Sequence, residues 1–327
     1  MRVLVTGGTG FTGSHVVRRY LQNGHDVSVL DAKKGVFFAE LAAAGAKIRL
    51  GSVADREAVR QAVEGCGLVL HVAASFRDVM ASNAVYRSVN VEGTRIVGEE
   101  SLRAGVKRVV YCSTEGVHGN VKHPPGDENA PIAPEDYYQQ TKWEGEVALR
   151  EVAARGLAVS ILRPTGIYGP GDPARFLMMF RMVKRGRFFI VGNGTACYHP
   201  LYIDNLVDAF ELAAERPEAV GETFIIADAR YATWNELIPL VADALGVKVK
   251  IHYLPLAPVW IASAICEGIC WPLGIAPPIF RRRAEMFSHM RAFDISKARS
   301  VLGYEPRVGL EEGLRRTCSW YREHGYL

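Results

Sequence analysis

Cysteines are few, and none is arranged to bind metal. Cys66, Cys112, Cys197, Cys266, Cys270 and Cys318 include no Cys-x-x-Cys pair and have no matching histidine cluster. They read as reduced, mostly buried thiols. Cys112, His118 and His123 are neighbours in sequence but lack the regular spacing of convergent ligands, so no metal is expected. Neither sign of charge is in large excess: 39 Lys and Arg against 35 Asp and Glu leave +4. With no basic tail and no arginine–aromatic stripe, nucleic acid is excluded as a partner. Internal repeats and low-complexity tracts are also lacking. The most apolar stretch, Ala257 to Ile275, holds Pro258 and Pro272, which limit any unbroken helix to under the ~20 residues that span a bilayer. The first strand pattern begins at Met1 to Arg2, leaving no room for a signal peptide, so a cytoplasmic location is expected.

What is there suits an ordinary globular protein. The 327 residues, 49% hydrophobic and 23% charged, suffice for one large domain or two modest ones. Strand patterns recur at Val3 to Val5, Val27 to Leu30, Lys47 to Leu50, Leu68 to His71, Arg108 to Cys112 and Val159 to Leu162. Helical patterns fill the gaps, after the first glycines and around Asp55 to Glu64, Val91 to Ala104 and Tyr138 to Ala154. That alternation predicts an α/β, Rossmann-type doubly wound parallel sheet over 1–170. Beyond "YGPGDP" the order loosens into a basic helix, Arg175 to Arg187, and a loop, "VGNGTACYHP". A strand at Thr223 to Ala227 returns 201–228 to the sheet, and 171–200 with 229–327 form a smaller, helix-rich substrate lobe.

Three glycines at three-residue spacing in "VTGGTGFTGS", Gly7, Gly10 and Gly13, lie between the first strand pattern and a helix pattern, His15 to Gln22, that is closed by Asn23 and Gly24. A strand-to-helix turn without Cβ atoms presents bare backbone N–H groups and the positive end of a helix dipole, which suits a phosphate. The second strand pattern ends on Asp31, roughly 20 residues on, where a carboxylate can accept both hydroxyls of an adenosine ribose. The stretch is predicted to cradle a dinucleotide pyrophosphate.

In "DYYQQTKWEGE", Tyr138 and Lys142 stand at i, i+4, on one helix face, while Tyr137 points elsewhere. A phenol of pKa about 10 transfers protons poorly at neutral pH unless its anion is favoured, and an ammonium one turn away favours it. Tyr138 could then exchange a proton with an alcohol or ketone while a nicotinamide exchanges hydride. Ser113 and Thr114 end a strand at the carboxyl edge of the sheet, where a hydroxyl could bond the reacting oxygen. After the next strand, Pro164 and its turn could close against the nicotinamide.

These pieces, in order, resemble the extended short-chain dehydrogenase/reductases over nearly the whole chain. The matches are "TGGTGFTG", Asp31, "HVAAS" with His71, Ala73 and Ala74, "NVEGT" with Asn90, "YCSTEGVHG", Tyr138 with Lys142, "LRPTGIYGPG" and "YIDNLVDAF". The resemblance implies that Thr114 assists Tyr138, that Lys142 also holds the nicotinamide ribose and that Asn90 supports the site. It further implies that Gly7, Gly10, Phe11, Thr12, Gly13, Asp31, Ser52, Val53, Ala73, Ala74, Asn90, Tyr138, Lys142, Pro164 and Ile167 bind NAD, in preference to NADP. Ser52 stands where the family usually has an adenine-contacting Asp.

Sugar-nucleotide epimerases and dehydratases of that family usually carry Asn where this chain has Gly166, and a diphosphate-gripping Arg where it has Tyr198. Arg175, Arg181, Arg185 and Arg187 either replace these contacts or form a solvated helix face. The region "APVWIASAICEGICWPLGIAPPIFRRR" and the "FDISKARSVLGYEPRVGLEEGLRRTCSWYRE" after it resemble the 3β-hydroxysteroid dehydrogenase-like branch, which implies a lipophilic alcohol, ketone or β-keto acid substrate. The rival readings are a nucleotide-sugar epimerase or dehydratase with tightly bound NAD, and a dinucleotide sensor without catalysis. Residues 257–275 are either a buried helix of the substrate lobe or an interfacial one with Arg281 to Arg283 at lipid headgroups. By the same resemblance, Val91 to Ala104 and Lys142 to Ala154 form the four-helix interface of a homodimer.

Overall fold

The computed structural model describes the chain apart from residues 77–81, 173–174, 271, 274, 276 and 280 and the side chains of Arg175, Arg282 and Arg283. The first half alternates: β1 (Arg2–Thr6), α1 (Phe11–Gln22), β2 (Asp26–Asp31), α2 (Phe38–Ala43), β3 (Lys47–Leu50), α3 (Arg56–Val63) and β4 (Leu68–His71). Next come α4 (Asn83–Arg87), a π-helical turn at Ser88–Glu92, α5 (Gly93–Arg103), β5 (Arg108–Cys112), α6 (Tyr137–Ala153) and β6 (Val159–Pro164). The second half contributes β7 (Gly166–Tyr168), α7 (Arg175–Lys184), β8 (Arg187–Val191), β9 (Cys197–Tyr198), β10 (Pro200–Tyr202), α8 (Ile203–Glu215) and β11 (Thr223–Ile226). It ends with β12 (Ala232–Thr233), α9 (Trp234–Leu245), β13 (Lys250–Leu254), α10 (Leu256–Cys270), α11 (Arg281–Glu285) and α12 (Leu310–Glu323).

Seven parallel strands form one sheet in the order β11-β6-β5-β4-β1-β2-β3. The order reverses between β1 and β4, and a crevice opens above the carboxyl ends of the strands at such a reversal. Strand periodicity sorts the core: Val3 and Val5 face α1 and α8 on one side, while Leu4 faces the α3, α5 and α6 side with Val59, Val97 and Leu149. Both faces of the inner strands are covered, which is why these read as near-continuous apolar runs, whereas the edge strand β3 is exposed.

Three expectations are corrected. The basic helix stops at Lys184, because Gly186 turns the chain at φ +76°, and Arg187 opens a strand instead. The "VGNGTACYHP" segment holds β9, paired antiparallel with β12, and the first residue of β10, paired parallel with β7. The reading of residues 257–275 as a buried helix fails, since among the described residues of α10 only Ser263 and Glu267 are buried. All six cysteines are free thiols.

Candidate active site

Each of the three spaced glycines has its own reason. Gly7 adopts φ +69°, and a Cβ there would come within 2.8 Å of the Ala73 backbone. A Cβ at Gly13 would lie 2.1 Å from the Gly7 carbonyl oxygen, so this glycine lets the helix approach the strand. At Gly10 a Cβ would meet only the Gly7 carbonyl oxygen, at 3.3 Å, and otherwise stand in open space. Helix α1 starts there with no side-chain cap and no acidic residue in its first turn. Its leading N–H groups, from Phe11, Thr12 and Gly13, belong to residues lining the crevice. The cradle has the donors, the dipole and the room that a pyrophosphate requires.

Asp31 closes the far side. Its Oδ2 accepts the Thr9 N–H at 3.0 Å and the Thr9 hydroxyl at 2.8 Å, so the carboxylate that ends β2 is tied to the glycine turn. The crevice it lines, about 530 Å³, runs past Ser52, Val53, Ala73 and Ala74 to Thr114, Tyr138, Lys142, Pro164 and Ile167. The structure thus brings together every expected residue except Asn90. Asn90 is buried behind the wall: its amide donates to the Ser75 carbonyl at 3.1 Å and to Thr141 at 3.0 Å, and its Oδ1 accepts the Ser75 N–H at 2.8 Å. The Ser52 hydroxyl accepts the Ala54 N–H at 3.1 Å, within its own turn.

Helix α6 places the proton-transfer pair. Asp136 caps it by accepting the Gln139 N–H, and from that start Tyr138 and Lys142 both reach the crevice. Tyr137 turns away, edge-on to Tyr86 at 6.3 Å. Lys142 is buried; its Nζ donates to the Cys112 carbonyl at 2.7 Å and lies 4.2 Å from the centre of the Tyr111 ring. Burial pulls its ammonium down to about 8, against the upward pull of Cys112 and Glu146, so it remains charged at neutral pH. The two strand-end hydroxyls part company. Ser113 donates to Glu146 at 2.6 Å, inside a buried network in which Arg163 grips the same carboxylate with both arms. Thr114 accepts the Gly116 N–H at 3.1 Å and donates to Glu115 at 2.9 Å. His71 is structural: it lies between the hydroxyls of Thr6 and Thr94, stacked on Tyr111.

The substrate end holds two surprises. A Cβ at Gly166 would fall 1.9 Å from the Tyr198 hydroxyl, so the phenol occupies the space any side chain at 166 would need. Tyr198 is held there against Trp234 and Phe176. The second is Arg291, which the sequence reading missed. It lines the crevice, with Glu115 at 3.6 Å and Glu135 at 3.4 Å, and its buried Nε has no hydrogen-bond partner among the described residues. The only signal in the sequence was its place just ahead of "FDISKARS". Arg181, Arg185 and Arg187 are exposed and line no part of the crevice, and Arg175 falls outside the described side chains. Among the described residues no group of three or more His, Cys, Asp or Glu gathers to hold a metal.

Comparison with known proteins identifies the family and the fold. The model of the NAD dependent epimerase/dehydratase family matches residues 3–227. The chain is 29% identical to the N-acetyl-alpha-D-glucosaminyl-diphospho-ditrans,octacis-undecaprenol 4-epimerase of Escherichia coli O157:H7, covering 98% of this chain and 96% of that one. It is 31% identical to 3beta-hydroxysteroid-dehydrogenase/decarboxylase isoform 1 of Arabidopsis thaliana, covering 96% of this chain and 78% of that one. Among solved structures, the UDP-glucose 4-epimerase of Thermotoga maritima with UDP-glucose superposes with a TM-score of 0.79 at 29% identity, over 99% of each chain.

Proposed function

Because the chain belongs to the NAD dependent epimerase/dehydratase family, we propose that it is an NAD-dependent oxidoreductase that interconverts a secondary alcohol and a ketone on a lipophilic substrate. The observation that carries this reading is the convergence of Thr114, Tyr138 and Lys142 on the wall of the crevice that also contains the glycine cradle. When bound, NAD supplies the acceptor or donor of hydride. Asp31, fixed by Thr9 at the end of β2, favours ribose hydroxyls and disfavours a 2′-phosphate, which supports NAD over NADP. Tyr138 takes the proton of the alcohol or returns one to the ketone, and the Lys142 charge favours its phenolate. By rotating about its C–O bond, the Thr114 hydroxyl offers the proton now directed at Glu115 to the reacting oxygen. Tyr198 over Gly166, and Phe76 against Tyr138 at 4.8 Å, give the substrate end an aromatic lining that supports an apolar substrate.

One observation favours a second reading. Arg291 gives the crevice a guanidinium beyond the proton-transfer pair, which suits a carboxylate or a diphosphate on the substrate. The Escherichia coli relative epimerises a sugar on a polyprenol diphosphate, a substrate both lipophilic and anionic by its name. An epimerase of such a lipid-linked sugar is therefore the alternative. The sensor reading is set aside: the family is one of enzymes, and a sensor has no use for a proton-transfer pair. A panel of sterols, β-hydroxy acids and lipid-linked sugars, assayed with added NAD, separates the two. Stoichiometric NADH is expected with a lipophilic alcohol. Product formed from a lipid-linked sugar without NADH accumulation would establish the epimerase instead.

A further inference from the structure

Large apolar side chains are exposed along one stretch of the chain. Ile261, Ile265 and Ile269 stand at i, i+4 spacing on α10 and are 55–59% exposed, with Leu256 and Trp260 beside them at 38–39%. Scattered surface hydrophobes need no explanation, but a continuous stripe does. The only charged residue of this helix, Glu267, is turned inward. Its oxygens accept the Arg281 backbone N–H and Nε, each at 2.7 Å, so its charge does not reach the outer face. At 15 residues the helix is too short to cross a bilayer.

Cations stand at the far end of the strand that leads into α10. The parallel pairing of β8 with β13 sets Arg187 opposite Lys250, and Arg185 and Lys248 lie just ahead of the two strands. All four are exposed, and among the described residues none has a carboxylate at ion-pair distance. The sequence carries no acidic residue from 173 to 203 or from 244 to 266. From that cationic edge the outer face of the strand pair passes through Phe189, stacked on His252 at 5.3 Å, to Leu254 and on into α10. At about 3.3 Å per strand residue, the cations stand roughly 13 Å from Leu254.

We propose that β13 and α10 dock the protein on a bilayer bearing anionic headgroups, with the isoleucine stripe at the acyl boundary and Arg187 and Lys250 among the phosphates. An apolar face that sinks about 5–10 Å into the interface brings cations at this distance to headgroup level. Charge complementarity selects the lipid surface over a second copy of the chain, because two such faces would bring the strand-edge cations toward their like; the Glu285 carboxylate beside α10 accepts from Trp260 at 3.3 Å. Behind the strand pair, Phe188 of β8 meets Phe287 at 6.4 Å, Phe287 packs on Trp234 at 4.7 Å, and Trp234 packs on Tyr198 of the crevice wall at 5.5 Å.

Sedimentation of the full chain with phosphatidylglycerol/phosphatidylcholine vesicles tests this, with pure phosphatidylcholine as control and NAD binding as the check on folding. Binding to the anionic vesicles should exceed the control at least tenfold and fall as salt rises. The paired change Arg187→Glu with Lys250→Glu should cost about tenfold or more, and Ile265→Glu should abolish binding, with NAD binding retained in both. No binding of the wild type, or binding indifferent to these changes, overturns the proposal. An oligomer in solution that Ile265→Glu converts to monomer also overturns it, since the stripe would then be covered by a second copy. Should Ile265→Glu fail to fold, the cation pair on the exposed strand edge decides.

Discussion

Gly166 and Tyr198 are one feature rather than two. Each departs from the pattern that its resemblance to sugar-nucleotide enzymes would imply, and the sequence presents the departures 32 positions apart without a link. The structure supplies it: the phenol of one lies where the side chain of the other would begin. Tyr137 and Tyr138 pose the opposite problem, two like residues side by side of which one is chosen by helical register alone. Tyr138 stands one turn before Lys142 on the crevice wall, whereas Tyr137 meets Tyr86. Tyr138→Phe should therefore lower turnover roughly 10²- to 10⁴-fold with NAD still bound, the usual worth of a positioned proton-transfer group. Tyr137→Phe should stay within a few-fold of wild type. Lys142→Met should weaken both turnover and NAD binding. Steady-state kinetics beside NAD titrations read all three, and the reverse ranking of the two tyrosines would sink the assignment.

At the scale of elements, legibility followed locality. β4 and β5 were readable to the residue because buried parallel strands are apolar on both faces, and β3, an exposed edge strand, because its short run lies between Gly45 and Gly51. The glycine turn, Asp31 and the α6 face were readable because their signals lie within one turn or one βαβ unit. β8 was hidden inside the helical pattern because its partner, β13, lies about 60 residues on, and pairing at that distance leaves no local trace. Arg291 was missed for the same reason, and the exposure of α10 could not be read because hydrophobicity says nothing of what covers a helix. The α5 and α6 pair remains open to test. Arg95 and Glu151 join the two helices at 2.6 Å, and Val147 is left 38% exposed on α6. We expect a homodimer through this pair, with Val147→Asp halving the mass measured by light scattering at micromolar concentration. A monomeric wild type would refute the interface.

Across the whole molecule, three histidines with little or no exposure tie segments that are far apart in sequence, and each does so in its neutral form. His199 accepts the Phe293 N–H on Nδ1 and donates from Nε2 to the Asp228 carbonyl, which joins the sheet side to the C-terminal region. His15 donates to the Pro170 carbonyl. His71 accepts from Thr6, whose oxygen already takes the Ala73 N–H, and donates to Thr94, whose proton goes to Asn90. Burial lowers His71 to about 3 and His15 and His199 to about 4, so between these values and 6.5 the unfolded chain binds protons that the folded one does not. Stability then falls as the pH drops through that window. Asp228 acts in the opposite sense: burial raises its carboxyl to about 7, the fold holds its proton where the unfolded chain has lost it, and stability from this group rises as the pH falls from 7 toward 3.8. Each group is worth up to about 1.4 kcal/mol per pH unit within its own window. His118, lowered chiefly by burial, adds to the histidines, and Glu128 and Asp204, raised chiefly by burial, add to Asp228; between pH 6.5 and 5 the histidines outweigh the carboxyls and the net effect of acidification is a loss. Glu100, where burial is outweighed by Arg103, Arg56 and Arg60 so that the carboxyl sits at about 2, begins to add to the loss only below 4.5. Denaturant unfolding at pH 7, 6 and 5 should therefore show a midpoint that already declines by pH 5. A midpoint flat to pH 5 that drops only below 4.5 would assign the acid sensitivity to carboxylates such as Glu100 and remove the histidines from the account.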